Sequence, residues 1–308
     1  MTQQSVPEFV SSLANAFRPA AASAVRWLPN VRGKGRFALA MNAAFLAAGA
    51  EPRTVAKTSG GYHLLVDSRV HAHGRLLFTG QFEDEYVSLL KKFLRPGGMA
   101  VDVGANVGFV TVPLALEAKR IGSRVVAFEP FPGNVKWLKE NLLLNQVEDL
   151  VTVVPAGLSS SPGEAQLLLA EDFQTGAKIG NAIVQEKGGP DRGFQKVSVR
   201  LETLDAEWER LGNPRLDVVK VDIEGHEDRF LEGGAKTIAA HRPAILSEVN
   251  RWYYQQRGLE FDEVIPRLVP EGYEFYTAKL ELIRELTRHR DVDVLILPEE
   301  KVQEITRG

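Results

Sequence analysis

The segment Val101-Asp102-Val103-Gly104-Ala105-Asn106-Val107-Gly108 constrains this chain more than any other. A short apolar run ends in an acid and passes through glycines into a helical pattern, as a buried parallel strand turns into its crossover helix. Gly104 permits a tight turn and close approach of a ligand, because no Cβ stands in the way. Gly108 lets the helix pack close to the sheet, and the free N–H groups at the helix start face the crevice. A dinucleotide fingerprint reads G-x-G-x-x-G. Here Asn106 takes the middle glycine position, where it crowds a pyrophosphate, and Asp102 repels phosphate. An acid at this place suits a cationic or amino-bearing ligand. By itself the pattern also fits an ordinary strand–helix turn.

An alternating βα rhythm surrounds this turn. Residues 99–103, 124–128, 151–154, 217–221 and 244–249 read as strands that are apolar throughout. Residues 107–118, 134–144, 231–240 and 261–269 read as helices, and 273–276 with 292–297 close the sheet. Such strands form a parallel sheet covered on both faces, and right-handed crossovers make it doubly wound. The rhythm is interrupted over 159–214. Strands are expected there at 165–170 and 196–200, flanking a glycine-bearing stretch, 172–194, that reads as a lid over the acceptor. A helix over 83–94 precedes the first strand.

Upstream, residues 7–50 read as helical with breaks at Pro19, Pro29 and 33–35. Residues 62–67 and 75–78 then read as the two strands of a hairpin. The expected organisation is an N-terminal extension over 1–79 and an α/β domain over 80–308. The Ala-rich stretch 17–26, with Arg18 and Arg26, reads as an amphipathic packing helix in preference to a membrane-surface one.

The second strand ends at Phe128-Glu129-Pro130. A carboxylate at that tip accepts from both hydroxyls of a ribose, so Glu129 points to a nucleoside, whether in NAD or in S-adenosylmethionine. The alternative is a solvated loop acid. S-adenosylmethionine carries an ammonium, a sulfonium and no phosphate, which suits Asp102.

Composition removes several classes. The 308 residues include no cysteine, so disulfides, a thiolate nucleophile and cysteine-bound zinc are excluded. The formal net charge of -3 offers no global basic field for nucleic acid. No apolar run approaches the ~18 residues of a bilayer span. The expectation is a cytoplasmic enzyme with a small-molecule acceptor, no nucleic-acid partner and no stable membrane insertion. A homo-oligomer contact, if one forms, is assigned to the N-terminal extension.

With these residues laid out, the chain resembles the FkbM-type S-adenosylmethionine-dependent methyltransferases. The matching segments are 101–108, Phe128-Glu129-Pro130-Phe131-Pro132-Gly133-Asn134, and Asp217-Val218-Val219-Lys220-Val221-Asp222-Ile223-Glu224-Gly225-His226-Glu227. Leu204-Asp205, residues 243–248 and Asp293-Val294-Leu295-Ile296-Leu297-Pro298 also fit, so the resemblance runs from about residue 80 to 298. It implies a Rossmann-like class I methyltransferase fold with a seven-stranded, mostly parallel sheet. It implies Asp102, Gly104, Asn106 and Gly108 at the methionine end of the cofactor, Glu129 on the ribose, and Ala156-Gly157 beside the adenine. It implies methylation mostly of oxygen, on sugars, polyketides and other small acceptors, with nitrogen acceptors also within reach. His226 stands at a position that varies in the family pattern.

Methyl transfer needs in-line geometry and, for a hydroxyl acceptor, removal of a proton. Asp222, Glu224 and His226 follow the fourth strand, and Glu248 and Asn250 end the fifth. In one reading His226 or Glu248 is the general base, with Glu224 beside them and Asp222 orienting cofactor or acceptor. In a second, Asp222, Glu248 and Asn250 hold a magnesium-type divalent cation that lowers the hydroxyl pKa. In a third, Glu224 caps the next helix and His226 lies on its surface. Lys220, buried in its strand, needs a partner, and Glu248 is the expected one. Trp252-Tyr253-Tyr254 either stacks an acceptor or closes the core. Arg251, Arg257, Arg284, Arg288 and Arg290 are mostly solvated, with one or two available to an anionic acceptor. The competing functions are a nicotinamide-dependent oxidoreductase, weakened by Asp102, Asn106 and the lack of a Tyr-x-x-x-Lys pair, and a non-catalytic cofactor-binding module.

Overall fold

A computed structural model describes residues 7–29, 31, 33–82, 84–169, 182–185, 196–288 and 293–307. The chain divides into two compact units, one within the first 84 residues and one from Glu85 onward.

The first unit has three helices, α1 (Glu8–Trp27), α2 (Lys34–Ala47) and α3 (His71–Thr79), and two antiparallel strands, β1 (Arg53–Lys57) and β2 (His63–Asp67). Pro19 lies inside α1 and does not end it. The missing hydrogen bond costs roughly 3 kcal/mol, and the buried stripe Ala14, Arg18, Ala22 and Val25 on either side holds the helix through it. Residues 75–78 are not a strand: they belong to α3, with Leu76, Leu77 and Phe78 all buried. A short apolar run carries no period to separate a strand from a buried helix. The hairpin partner of β2 is therefore β1, upstream of it.

The second unit is built on a seven-stranded sheet. Its strands are β3 (Met99–Val103), β4 (Arg124–Phe128), β5 (Val151–Val154), β10 (Leu216–Val221), β11 (Ala244–Glu248), β12 (Tyr273–Tyr276) and β13 (Asp293–Pro298). The spatial order is β12-β13-β11-β10-β3-β4-β5, and only β13 runs against its neighbours. This is the expected class I methyltransferase sheet. Helices α4 (Asp84–Phe93), α5 (Thr111–Ile121), α6 (Pro132–Leu144), α7 (Leu204–Arg210), α8 (Glu227–Gly233), α9 (Ala235–His241), α10 (Arg251–Gln256), α11 (Phe261–Leu268) and α12 (Glu299–Arg307) accompany it. Every residue of β10 is buried, as a central strand covered on both faces requires. Val101, Val126, Val219 and Ile245 share its core with Trp208, Phe230 and Tyr254.

Between β5 and α7 the chain forms a second sheet from β6 (Gly157–Leu158), β7 (Gly163–Leu169), β8 (Ala182–Gln185) and β9 (Lys196–Glu202), in the order β6-β9-β7-β8. Strand β8 falls within the stretch expected to be a lid; the rest of 172–194 lies outside the described residues. Helix α5 starts later than its apolar pattern does, because residues 104–108 are spent on a turn with positive φ at Gly104, Asn106 and Gly108. The helix expected over 231–240 is two, meeting at Gly233 and Gly234. No helix among the described residues is long and apolar enough to cross a membrane.

Candidate functional site

Three strand tips meet at the glycine turn. The backbone N–H groups of Gly104 and Ala105 both donate to the carbonyl of Phe128, at 3.0 Å each. Gly104 has φ +77°, and a Cβ there would stand 2.0 Å from the carbonyl oxygen of Asp222. Only glycine combines that backbone with that approach, so the ends of β3, β4 and β10 close on one another. Asn106 follows with φ +50°, a conformation that asparagine tolerates better than most residues. Its N–H donates to Glu129 Oε2 at 2.7 Å. Glu129 Oε1 accepts from the N–H of Phe131 at 2.9 Å and, more weakly, from Asn134 Nδ2 at 3.4 Å. The β4 carboxylate thus holds both the turn and the start of α6. Gly108 lies against α6, where a Cβ would stand 2.8 Å from Leu138 Cδ1. Burial pushes the Glu129 carboxyl up to about 7, against the pull of its N–H donors.

Asp102 is fully enclosed. Its Oδ2 accepts from Thr111 Oγ1 at 2.6 Å, which pins the first turn of α5, and its Oδ1 lies 3.9 Å from Lys220 Nζ. Burial raises this carboxyl above its usual range, with Lys220 and Thr111 opposing. Asp102, which the sequence sets at the methionine end of the cofactor, thus lies enclosed near the tip of β3, under the glycine turn. Lys220 Nζ also donates to Asp222 Oδ2 at 3.1 Å. Its ion-pair contacts include Asp102 and Asp222, where the sequence expected Glu248. The register explains the difference: Lys220 sits beside Asp102 of β3 and Leu246 of β11, and it shares a strand face with Asp222 two residues on.

Beyond β10 the chain makes a tight loop. Glu224 has φ +54°, and at Gly225 a Cβ would stand 2.3 Å from Tyr253 Cβ. Glu227 Oε1 accepts from the N–H groups of Ile223 at 3.2 Å and Gly225 at 3.3 Å. Glu227, not Glu224, holds this loop to α8. Glu224 is hydrogen-bonded to Tyr253, and burial together with Asp222 pushes its carboxyl up to about 7. Glu248, at the tip of β11, is driven above the usual carboxylate range by burial, then by Asp222 and Glu224. Asp222, Glu224 and Glu248 thus interact beyond the tips of β10 and β11. His226 is the half-buried residue before α8, and its carbonyl accepts from Arg229 and Phe230. Asn250 precedes α10, where its carbonyl accepts from Tyr253 at 3.1 Å. Among the described residues no three His, Asp or Glu side chains converge in a way that could hold a metal ion. Ala156 is fully buried, and Gly157 opens β6 beside Leu201.

The aromatic triplet divides. Tyr254 is buried edge-on against Phe261 at 5.2 Å, and its hydroxyl accepts from the N–H of Asp228 at 3.0 Å, while Trp252 is exposed. Two of the arginines are structural. Arg251 pairs with Asp262 at 2.7 Å and 2.9 Å. Arg257 holds both oxygens of Asp228 at 2.8 Å and also donates to the Gly225 carbonyl. Arg290 lies outside the described residues. Arg257 and Asp228 are 8% and 5% exposed, so Arg257→Ala strips a buried carboxylate of both its 2.8 Å hydrogen bonds, leaving it the Arg229 guanidinium at 4.0 Å, and is expected to cost about 3–5 kcal/mol. Chemical denaturation checks this; a loss below about 1 kcal/mol contradicts it.

A pH dependence follows from the same burial. Glu129, Glu224 and Glu227 each titrate near 7 in the fold against 4.5 when free. Their neutral forms are favoured by the native state. The stability they contribute is present below about 4.5 and lost as pH rises through about 7. The melting temperature of the ligand-free protein is expected to fall between about pH 5 and 8; a flat or rising profile contradicts it.

The model of the methyltransferase FkbM domain matches residues 102–275, more than half of the chain. The chain belongs to the FkbM methyltransferase family. The methyltransferase sdnD of Sordaria araneosa is 32% identical over 157 residues, covering 43% of this chain and 59% of that protein. A tRNA(Phe) (4-demethylwyosine(37)-C(7)) aminocarboxypropyltransferase of Pyrococcus horikoshii is 33% identical over 75 residues, 24% of this chain and 26% of that one. The chain thus spans less than two thirds of the length of these relatives. A solved structure of the methyltransferase FkbM from Methylobacillus flagellatus KT covers 73% of this chain and 53% of its own, at 17% identity and a TM-score of 0.41. Thr111 has no role in the sequence reading, and the bond of Tyr253 to Glu224 is not foreseen in the aromatic triplet. Each acts through a side chain distant in sequence, and neither position has a local pattern that marks it.

Proposed function

We propose that the protein transfers a methyl group from S-adenosylmethionine to a hydroxyl oxygen of a small acceptor, such as a sugar, a polyketide or a peptide, inside the cytoplasm. The observation that carries this reading is Glu129: a buried carboxylate at the second strand tip, fixed by two backbone N–H groups, with acceptor capacity left over. An ionised carboxylate offers about four acceptor sites, and a ribose diol brings two donors. The chain's residues fit the cofactor on that chemistry. Gly104, Asn106 and Gly108 would wall its methionine end, Glu129 would hold its ribose, and Ala156-Gly157 would border its adenine. When bound, S-adenosylmethionine supplies an electrophilic methyl group.

The protein's own work is positioning and proton removal. Lys220 holds Asp222 and stands beside Asp102 beneath the turn. Glu248 and Asp222 are hydrogen-bonded side chain to side chain, and a carboxyl raised by burial is a stronger base than a free one. Glu248 is therefore the proposed general base, taking the hydroxyl proton and sharing it with Asp222, while Tyr253 and Glu224 shape the acceptor side. His226 as base is the competing assignment within the same function. The test is incubation with methyl-labelled S-adenosylmethionine and a panel of hydroxyl and amine acceptors. Labelled ethers or esters with S-adenosylhomocysteine release are expected. Label carried only on nitrogen would reassign the acceptor, and no label on any acceptor despite cofactor binding would favour a non-catalytic module.

A further inference from the structure

The outward face of α1 is apolar along its length. Phe9, Leu13, Phe17 and Trp27 fall on one helical stripe and are 73%, 40%, 63% and 88% exposed. Charges do not break it up. Arg18 turns inward to donate to the Glu51 carbonyl at 2.7 Å, and Arg26 to that of Leu77 at 2.7 Å; Glu8 in the first turn is the remaining charge. A water-facing helix does the opposite, and a contiguous apolar surface rimmed by polar groups marks an interaction site. The stripe runs into the corner before α2, where Leu28, Val31 and Phe37 are exposed as well. At the same corner Gly33, Gly35, Arg36 and Leu39 join His71 and Arg75 around a cavity of about 640 Å³. Arg36, His71 and Arg75 are exposed and make no ion pair among the described residues. The first 84 residues hold nine Lys and Arg against five Asp and Glu, although the whole chain has a net charge of -3.

We propose that the N-terminal unit docks on an anionic lipid surface, with α1 lying in the interface and the Arg36–His71–Arg75 cavity receiving a lipid phosphate. A helix with an apolar stripe beside basic groups lies in the plane of a bilayer without crossing it. The basic excess selects this occupant. Two copies meeting through α1 would leave the basic Arg36–His71–Arg75 cavity without an anionic partner, and an RNA backbone gains nothing from a stripe without charge.

The test is flotation of the full-length protein with vesicles of phosphatidylcholine alone and of phosphatidylcholine with phosphatidylglycerol. Binding to the anionic vesicles only, weakened by salt, is expected. Phe17→Ser with Trp27→Ser, and separately Arg36→Gln with Arg75→Gln, should each lower the apparent affinity at least about tenfold. These side chains are exposed, and a melting curve confirms that each variant is folded. Equal binding to both vesicle types, or none, overturns the proposal. So does a dimer in sedimentation equilibrium that Phe17→Ser dissociates, retention by RNA without vesicle binding, or capture of inorganic phosphate without vesicle binding.

Discussion

Glu129→Ala is expected to raise the dissociation constants of S-adenosylmethionine and S-adenosylhomocysteine by about 10²–10⁴-fold. Two hydrogen bonds from a ribose to a charged acceptor are worth about 1.5–3 kcal/mol each, and both are lost. The substitution also removes the acceptor for the N–H groups of Asn106 and Phe131, so the turn that walls the methionine end loosens with it. The sheet does not depend on this carboxylate, and a cooperative melting curve, lowered by the two unsatisfied N–H groups at about 1–3 kcal/mol each, is expected alongside lost binding. Affinity should also depend on pH. A ribose donates to the ionised form, and the Glu129 carboxyl is pushed up to about 7. Binding therefore strengthens as pH rises through about 7, by up to about tenfold per unit below it. Calorimetric titration at several pH values checks both points. Unchanged affinity in the variant removes Glu129 from the ribose.

The second large effect falls on turnover. Glu248→Gln is expected to lower kcat by about 10²–10⁴-fold, the range of a lost general base. Cofactor affinity should stay within about threefold, because Glu248 is not assigned to the cofactor. The sign of its pH dependence is fixed by burial. Glu248 sits above the usual carboxylate range because of burial, Asp222 and Glu224, and only its ionised form accepts a proton. The kcat of the wild type should therefore climb with pH through that titration, and the Gln variant should lose the climb. His226→Ala should change kcat by less than about tenfold. The reverse pattern, a mild Glu248→Gln and a crippled His226→Ala, makes the imidazole the base.

What could be read from the sequence was what is local. Strands β3, β4, β10 and β11 are short apolar runs in the family's order, and the glycine turn and Glu129 sit where a strand must hand over to a helix. What could not be read depends on register or on burial from afar. Lys220 needs a partner by its chemistry, but only the alignment of β10 with β3 and β11 decides that its contacts include Asp102 and Asp222. Glu224 and Glu227 are both acids after the same strand. The positive φ at Glu224 and Gly225 turns Glu227, not Glu224, onto the loop's N–H groups. Residues 75–78 carry no period, so nothing in them separates a strand from the buried face of α3. Pro19 breaks helices as a rule, and the rule fails where packing on both sides outweighs one lost hydrogen bond.

The most direct test of the central claim is calorimetric titration of the wild-type protein with S-adenosylhomocysteine, with NAD run in parallel. Micromolar binding of S-adenosylhomocysteine and none of NAD is the predicted result. Binding of NAD instead, or of neither, would contradict the claim that this crevice holds the methyl donor.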